Sequence, residues 1–386
     1  MLENAVKHPC SPLRVAIIGA RGIPANYGGF DTLVEELSAG LVRDYGQEVT
    51  VYCRSDYYET HPPFVSGVRC IYIPSTRIKG FESLFHTFCC SVHALFRPFD
   101  VYFVVDPGNA PVVILLKLMG KKTAIHTDGL GWQRTKWGNL ARRYYRWVEW
   151  LAARGVKNIV TDNPAMLEYY RREYGADSIC IAYGSEDRYG VEPAVYEELA
   201  LVPEGYLLVV ARLERENNTD VVIREYVASE VEMPLIVVGD APYGDEYLKE
   251  LKQLSNDRVK FAGRINDQGR LNALYRGAYL YLHGHEVGGT NPSLLRAMGL
   301  GAVPVAVDVD FNRHVVGEQG FFFRKDPGDL ARLLHRLAEA SGELAGIRSV
   351  VGEWTRKRYS WSDVVTRYAG YFQELAGLCF SPSGRP

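Results

Sequence analysis

The sequence predicts an α/β protein built from two Rossmann-like domains that face each other across a cleft. Apolar segments of strand length alternate with helical segments along most of the chain, which is the pattern of parallel sheets covered by helices. With 386 residues and 47% hydrophobic content, the chain is long enough to bury two cores. We place the first domain at residues 1–190 and the second at residues 200–360, with residues 361–386 packing back on the first domain.

Composition excludes several classes of protein. A formal net charge of −2 and a pI near 6.5 lack the basic footprint of nucleic-acid binding. No apolar run reaches the roughly 18 residues of a membrane span, and the N-terminus lacks a signal-peptide core, so we expect a cytoplasmic protein. The seven cysteines have no metal-ligand spacing, and we expect core thiols rather than disulfides or a zinc site.

The first domain begins with a strand at residues 14–19, which leads into a glycine-rich loop at 19–29. This loop is too long, and its glycines are wrongly spaced, for the dinucleotide-binding fingerprint, which disfavours a hydride-transfer enzyme. A helix follows, with Asp31 in its first turn, where a negative charge suits the helix dipole. Further strands of this domain are predicted at 49–53, 69–73, 101–105, 123–127, 158–161 and 178–182.

Polar and aromatic residues cluster after the strand at 123–127. Parallel sheets bind ligands at the carboxyl ends of their strands, so this loop is a candidate site. Two of the candidates also have a structural explanation, since His126 could be a core imidazole and Asp128 could cap a turn. The candidates at this strand end and in the loop after it are His126, Asp128, Trp132, Arg134 and Lys136.

Residues 138–154 predict a helix with an apolar seam and a basic, aromatic remainder. Arg142, Arg143 and Arg146 lie off the seam, with two tryptophans nearby. Such a helix fits docking on an anionic membrane, at the inner face, or binding of an acceptor's phosphate. A solvated face beside a core seam explains the same pattern, and the sequence leaves both interpretations open.

The second domain follows a predicted linker that ends near residue 204. Arg212 comes directly after the first strand of this domain and Arg264 after the third, so both lie at carboxyl ends of strands. A final helix at 361–378 has no strand after it. Strands of this domain are predicted at 206–210, 234–238, 259–261, 279–283 and 320–323, with another beginning at 304.

The most informative stretch, residues 283–305, predicts a strand, a glycine loop, a helix and a strand. Gly288 and Gly289 let the backbone approach a ligand closely. Asn291 is a good N-cap, and Pro292 suits the first helical position. The loop therefore presents backbone N–H groups and the positive end of a helix dipole, which together form a receptor for a diphosphate without a metal. A tight turn kept for its geometry is the alternative.

The order of these motifs resembles family four of the glycosyltransferases, which have the GT-B fold. The resemblance spans residues 14–376, and segments 18–30, 128–137, 212–218 and 288–295 resemble the subgroup labelled rhamnosyltransferases. The motifs that carry it are Gly28-Gly-Phe-Asp31 before a helix, Arg212 with Glu216, Phe261-Ala-Gly-Arg264, and the block from Gly288 to Pro304.

This resemblance implies a retaining transfer of a sugar from a nucleotide diphosphate donor to a glycan or lipid-linked acceptor in cell-surface polysaccharide synthesis. The subgroup implies L-rhamnose from dTDP-rhamnose, with no metal and no cofactor beyond the donor. The catalytic residues implied are Asp128, His126 and Arg212. Residues implied to bind the donor are Gly28, Gly29, Arg212, Arg264, Gly288, Gly289, Thr290, Asn291 and Arg296, and those implied for the acceptor are Asp31, Trp132, Arg134 and Lys136.

The chain departs from the family pattern at three positions. A pair of Glu is usual where Gly288 and Arg296 stand, and a Lys is usual at Asn217. Arg215 or Arg264 could supply the missing positive charge. A guanidinium only donates hydrogen bonds, so Arg296 cannot accept one from a ribose as a carboxylate does. We expect Arg296 to bind a donor phosphate, with weakened nucleotide binding as the alternative.

Three functions therefore stay open. A glycosyltransferase is the leading hypothesis, because the arginine after the first strand of the second domain and the glycine loop are both present. A sugar-nucleotide epimerase with the same paired domains is the second. The third is a GT-B protein that has lost catalysis and binds a glycan or a partner.

Overall fold

The computed structural model describes residues 12–25, 28–76, 78, 81–134, 138–185, 189–241 and 245–378. The chain divides into two compact units: unit 1 is drawn from residues 1–127, 148–160 and 365–386, and unit 2 from residues 128–147 and 161–364. The predicted α/β class with two parallel sheets is confirmed. Unit 2 includes residues 128–147 and 161–190, which were predicted to belong to the first domain. They group with unit 2 because the loops that begin there contact the glycine loop of that unit.

The first sheet has its strands in the order β3-β4-β2-β1-β5-β6-β7-β8. β1 pairs in parallel with β2 and β5, whereas the short β3 pairs antiparallel with β4. All five residues of β5 are buried, as expected for a strand covered on both faces. The strands are β1 (Arg14–Ile18), β2 (Glu48–Arg54), β3 (Phe64–Val65), β4 (Val68–Ile73), β5 (Val101–Val105), β6 (Thr123–Thr127), β7 (Ile159–Thr161) and β8 (Ile179–Cys180).

Helices connect these strands by crossovers, which are right-handed in parallel sheets. The first helix leads from β1 toward β2, whereas the second and third lead the opposite way across the sheet, toward β5 and β6. The first helix therefore covers one face, and the second and third cover the other. They are α1 (Gly29–Tyr45), α2 (Glu82–Leu95), α3 (Ala110–Leu118), α4 (Asn139–Leu151), which continues as a π-helical turn (Ala152–Val156), and α5 (Pro164–Tyr174).

The last helix, α14 (Trp361–Ala376), returns to unit 1 as predicted. Tyr45 of α1 donates a hydrogen bond from its hydroxyl to Thr366 Oγ1 at 2.8 Å. The ring of Phe103 in β5 contacts Tyr368 and Phe372, with centroids 5.4 and 5.2 Å apart. These contacts fix the C-terminal helix over the centre of the first sheet.

The second sheet lies wholly in unit 2 and is parallel throughout its described pairs, in the order β11-β10-β9-β12-β13-β14. Its strands are β9 (Leu207–Val210), β10 (Leu235–Val238), β11 (Val259–Gly263), β12 (Leu280–His283), β13 (Pro304–Val307) and β14 (Phe321–Phe323). The helices around it are α7 (Thr219–Ala228), α8 (Glu246–Leu254), α9 (Gln268–Gly277), α10 (Pro292–Gly299), α11 (Asp310–Val316), α12 (Asp329–Glu339) and α13 (Ser341–Arg358). The predicted linker contains one short helix, α6 (Ala194–Glu198).

Candidate functional site

The glycine loop after β12 has the conformation that its sequence requires. Gly288 has a φ of +147°, which side-chain-bearing residues rarely adopt. A Cβ atom added to Gly289 would lie 1.9 Å from Asp162 Oδ1, so only glycine fits. Asn291 caps α10 through a hydrogen bond that its Oδ1 accepts from the N–H of Ser293 at 3.0 Å, with Pro292 in the first turn, so the predicted helix start is confirmed.

A buried carboxyl group holds this loop in place. Asp162, directly after β7, accepts the N–H of Thr290 on Oδ2 at 2.8 Å, and its backbone carbonyl accepts the Thr290 hydroxyl. Asn163 adds a hydrogen bond from Nδ2 to Thr290 Oγ1 at 3.4 Å. Burial, followed by the negative charge of Asp128, raises the pKa of Asp162 well above its ordinary value and favours the neutral acid. Two polar side chains at the end of β7 thus fix the start of α10.

The loop after β6 meets the same glycine loop backbone to backbone. Gly129 has a φ of +50°, and a Cβ added to it would lie 2.3 Å from Gly288 Cα. This close approach places Asp128 beside the loop, near enough to Asp162 to affect its ionisation. Asp128 therefore lies next to the glycine loop, and its predicted catalytic role stays a prediction.

Basic and acidic side chains surround this point in unit 2. Arg212 lies after β9 and is about one-third exposed, with its Nη1 3.6 Å from Glu214 Oε1. Burial by itself would lower the pKa of Arg134, but the charges of Asp128, Glu214 and Glu216 outweigh it and raise that pKa. Arg134 therefore stays charged, and both arginines lie next to the buried carboxyl groups of Glu214 and Glu216, in a region able to hold an anion.

Two stacked imidazoles lie next to these arginines. The rings of His283 and His285 are 4.4 Å apart and nearly parallel, at 14°. Burial, followed by the positive charge of Arg212, lowers the pKa of His285 to about 3, so the ring is neutral. Tyr281 Oη lies 3.2 Å from His283 Nδ1 and 3.0 Å from Ser293 Oγ, which links the stack to the first turn of α10. Neither histidine was predicted as a site residue, although both lie within residues 283–305, the most informative stretch of the sequence.

Asn217 stands where the family that the sequence resembles usually has a lysine. Asn217 is buried, and its Nδ2 donates to the backbone carbonyl of Arg212 at 2.7 Å. The arginines proposed to compensate for the charge are ion-paired at the surface. Arg215 Nη2 lies 2.6 Å from Glu250 Oε2, and Arg264 Nη1 lies 3.8 Å from Asp240 Oδ2. Asn217 thus orients the backbone that carries Arg212 instead of adding a charge.

In unit 1, His126 is fully buried. Its ring packs edge-on against Phe30 and Phe103, with centroids 5.5 and 6.2 Å apart. Burial lowers the pKa of His126 to about 3, so the imidazole is neutral. This placement favours the core explanation over a catalytic contact, because a fully buried ring presents no surface to a ligand.

Asp31 is also buried and orders the first glycine-rich loop. It accepts the backbone N–H of Arg21 at 3.0 Å, and the Arg21 guanidinium lies 3.7 Å away. Glu35, one turn later, accepts the N–H of Ala25 at 2.7 Å. Burial raises the pKa of Asp31 to about 6. These hydrogen bonds show that Asp31 fixes the loop before α1. Asp31 lies in the first turn of this helix, which begins at Gly29 after Gly28.

Comparison with known families decides the class of protein. A family described as "Glycosyl transferase 4-like domain" matches residues 28–183, and one described as "Glycosyl transferases group 1" matches residues 204–340. The chain is a glycosyltransferase. No curated protein sequence matches it.

Solved structures show that this glycosyltransferase has the GT-B fold. Sucrose-phosphate synthase from Thermosynechococcus elongatus superposes with a TM-score of 0.80 at 18% identity, over 95% of this chain and 99% of the other. HepE from Anabaena, in complex with UDP, gives 0.73 at 16% identity, over 94% and 100%. A glycosyltransferase from Rickettsia africae gives 0.65 at 12% identity, over 95% and 99%.

Within the glycosyltransferase, Arg296 is held by a neighbouring helix. Its Nε donates to Asn272 Oδ1 at 2.7 Å, while Nη1 and Nη2 donate to the side-chain and backbone oxygens of Gln268 at 2.6 and 3.0 Å. Both partners belong to α9, and the guanidinium also lies over the Tyr275 ring, 5.8 Å from its centroid. These contacts join α10 to α9, and the predicted contact of Arg296 with a phosphate stays a prediction.

Of the residues predicted for the acceptor, Trp132 and Arg134 lie after β6 in unit 2, whereas Lys136 lies outside the described residues. The Trp132 ring is covered by the Arg146 guanidinium at 4.2 Å from its centroid. Its Nε1 is buried and has no hydrogen-bond partner among the residues that the structure describes. Within the same described ranges, no group of three or more His, Cys, Asp or Glu residues could hold a metal ion.

Proposed function

We propose that the enzyme transfers a sugar from a nucleotide diphosphate donor to a glycan or lipid-linked acceptor, with retention of configuration. We favour dTDP-rhamnose as the donor and L-rhamnose as the transferred sugar, in a reaction of cell-surface polysaccharide synthesis. The observation that carries the proposal is the glycine loop held rigidly at the start of α10 beside Arg212 and Asp128. The HepE structures with UDP and UDP-glucose support a nucleotide donor.

In this proposal, the leaving diphosphate receives its stabilisation from fixed groups of the chain. The bond between the anomeric carbon and the diphosphate breaks, and the negative charge that develops on the phosphate lies by the α10 N-terminus and the guanidinium of Arg212. The acceptor hydroxyl forms the new bond on the same face, and its proton goes to the leaving phosphate. No bound metal is needed for this charge balance.

Asp128 has the second role. Its carboxylate lies beside the glycine loop, where it would orient a sugar hydroxyl or stabilise positive charge on the ring in the transition state. Glu214 lies 3.6 Å from the Arg212 guanidinium, and the charges of Glu214 and Glu216 act on Arg134. In this proposal, the donor phosphate takes the place of these carboxylates as the partner of the two arginines. Asn217 fixes the Arg212 backbone during this exchange.

We also propose peripheral binding to an anionic membrane surface through residues 138–154. Trp147 and Trp150 on α4 are about half exposed, and Arg142, Arg143 and Arg146 are exposed. Exposed aromatic and basic side chains on one helix fit the boundary between lipid headgroups and acyl chains. Across the described residues, no helix is both long and apolar enough to cross a bilayer.

The transfer proposal is tested by incubating the purified enzyme with a panel of nucleotide sugars, dTDP-rhamnose among them. Released nucleotide and isomerised donor are measured together, because transfer or hydrolysis gives the first and epimerisation gives the second. Release by the wild type that is lost in Arg212→Ala supports the proposal. Isomerised donor would establish an epimerase, and binding without turnover of any donor would establish a degenerate binding protein.

A further inference from the structure

The outward face of α2 is apolar along its whole length. Phe81, Phe85, Phe88, Val92 and Phe96 recur every three or four residues and are all exposed, with Phe85 48% and Phe96 85% exposed. The opposite face, turned to the sheet, contains buried polar side chains, His86, Thr87 and Ser91 among them. An ordinary surface helix has the reverse arrangement. An exposed apolar row of this length indicates an interaction surface.

The neighbouring helix continues this surface. α3 follows α2 on the same face of the first sheet, because both make crossovers in the same direction. Leu115, Leu118 and Met119 at its C-terminal end are exposed, Leu118 to 79%. We call these residues and the row on α2 the α2–α3 face. All of it belongs to unit 1.

Positive charges border the α2–α3 face at one end. In a parallel sheet, the connecting helices all end at the edge where the strands begin, so the C-terminal ends of α2 and α3 share this edge. Their carboxylates lie elsewhere, with Glu82 in the first turn of α2 and Asp106 before α3. Asp100 at the basic edge is neutralised by Arg14 at 2.8 Å. The cations of the edge and of the adjoining π-helical turn are Arg97, Lys117, Lys121, Lys122, Arg154 and Lys157.

We propose that the α2–α3 face docks on an anionic lipid bilayer. Phenylalanine and leucine side chains would enter the boundary between headgroups and acyl chains, while the basic edge binds anionic headgroups. A second copy of the chain fits less well, because a self-complementary contact would bring two positively charged edges to one interface. The α2–α3 face is a surface other than α4, the helix proposed above for membrane association, and its binding to lipid does not depend on transferase activity.

The test is co-sedimentation of the full chain, without donor, with vesicles of phosphatidylcholine alone or with about one-third phosphatidylglycerol. The wild type is expected to bind the anionic vesicles, and F85S/F88S/V92S is expected to bind about tenfold less or weaker still. F64S/V202S/V350S, with three apolar residues exposed elsewhere, is the matched control and keeps binding. W147S/W150S measures the contribution of α4, and an unfolding midpoint equal to the wild type's shows that each variant folds.

A second variant tests the charged edge. K121Q/K122Q is expected to lose binding most at low salt, because screening weakens the attraction that the lysines provide. The proposal is overturned if the wild type ignores anionic vesicles, or if F85S/F88S/V92S binds as well as its control. It is also overturned if sedimentation velocity finds a dimer that this variant disperses, since a second copy would then cover the face. None of these readings depends on whether the enzyme turns over a sugar donor.

Discussion

The carboxyl of Asp162 accepts the backbone N–H of Thr290 at 2.8 Å, across 128 positions of the sequence. Asp162→Asn keeps a neutral acceptor of the same shape, so we expect donor turnover near that of the wild type. Asp162→Ala leaves the Thr290 N–H buried without its acceptor, which costs about 1–3 kcal/mol and should lower turnover about tenfold or more. Initial rates of nucleotide release measure both, with the exposed Asp257→Asn as control.

The pH dependence of the free energy of unfolding tests whether Asp162 is protonated in the folded chain. The pKa of Asp162 is raised in the folded chain, so the folded state keeps a proton that the unfolded state loses, and stability falls as pH rises. Asp162→Asn has no proton to lose, so the fall in its free energy of unfolding as pH rises above 3.8 should be smaller than in the wild type. An equal fall in the two proteins would contradict a neutral carboxyl at Asp162.

Asp31 gives a second pH effect, on the stability of unit 1. Burial raises its pKa from 3.8 to about 6, so the wild type should lose stability as pH rises between these values, by at most about 3 kcal/mol. Asp31→Asn should remove this step. Urea unfolding at several pH values, followed by a probe in unit 1, measures it. Asp177→Asn, at a carboxyl that is 96% exposed, is the control and should leave the step intact.

Arg212→Ala should reduce donor turnover by about two orders of magnitude, as removal of one preorganised charge stabiliser typically does. The matched control is Arg215→Ala in the same loop, whose guanidinium lies 2.6 Å from Glu250 at the surface. We expect the control to retain most of its activity. Equal losses in the two variants would move the phosphate site away from Arg212.

The variant Arg296→Ala tests what the Arg296 guanidinium on α10 binds. If Arg296 binds a donor phosphate as predicted, Arg296→Ala should weaken binding of the nucleoside diphosphate by about 1.5–3 kcal/mol more than binding of the bare nucleoside. Equal losses would show that the guanidinium only joins α10 to α9 through Gln268 and Asn272. Calorimetry with both ligands measures the difference, with Arg276→Ala at the exposed end of α9 as control.

We expect transfer to continue in EDTA, because the proposed charge stabilisation comes from Arg212 and the α10 N-terminus. The measurement is nucleotide release after prolonged chelation, followed by addition of Mg²⁺ or Mn²⁺. Complete loss that either ion reverses would show that a divalent cation takes part. The unfolding midpoint measured in EDTA serves as the control for a structural effect of chelation.

The sequence predicts those parts of the site that depend on local chemistry. Asn291 and Pro292 specify the start of α10 by themselves, and the structure has the cap where it was predicted. Asp162 was missed because its role depends on Thr290, which is adjacent only after two sheets have formed. The signal for Asp162 in the sequence is its position as a polar residue directly after the buried strand β7.

Other side chains could not be placed because their burial is a tertiary property. His126 lies in β6 and Asp128 directly follows the strand, yet the first faces Phe30 and Phe103 in a core and the second lies beside Gly288. Side chains two residues apart in a strand lie on the same face, so alternation alone would give both residues the same surroundings, and they differ because β6 ends at Thr127. Likewise, the sequence could not show that Asn272 and Gln268 of α9 would receive the guanidinium of Arg296.

The contact of Gly129 with Gly288 has a consequence for the entropy of binding. Two backbones lie in contact there, and the carboxyl of Asp162 fixes the next two residues. A ligand that enters this loop therefore meets donors whose positions are already set, and little conformational freedom remains to be lost. Affinity for the diphosphate should accordingly depend on how well its oxygens match a rigid template, and a longer or bulkier anion would gain no adjustment from the loop.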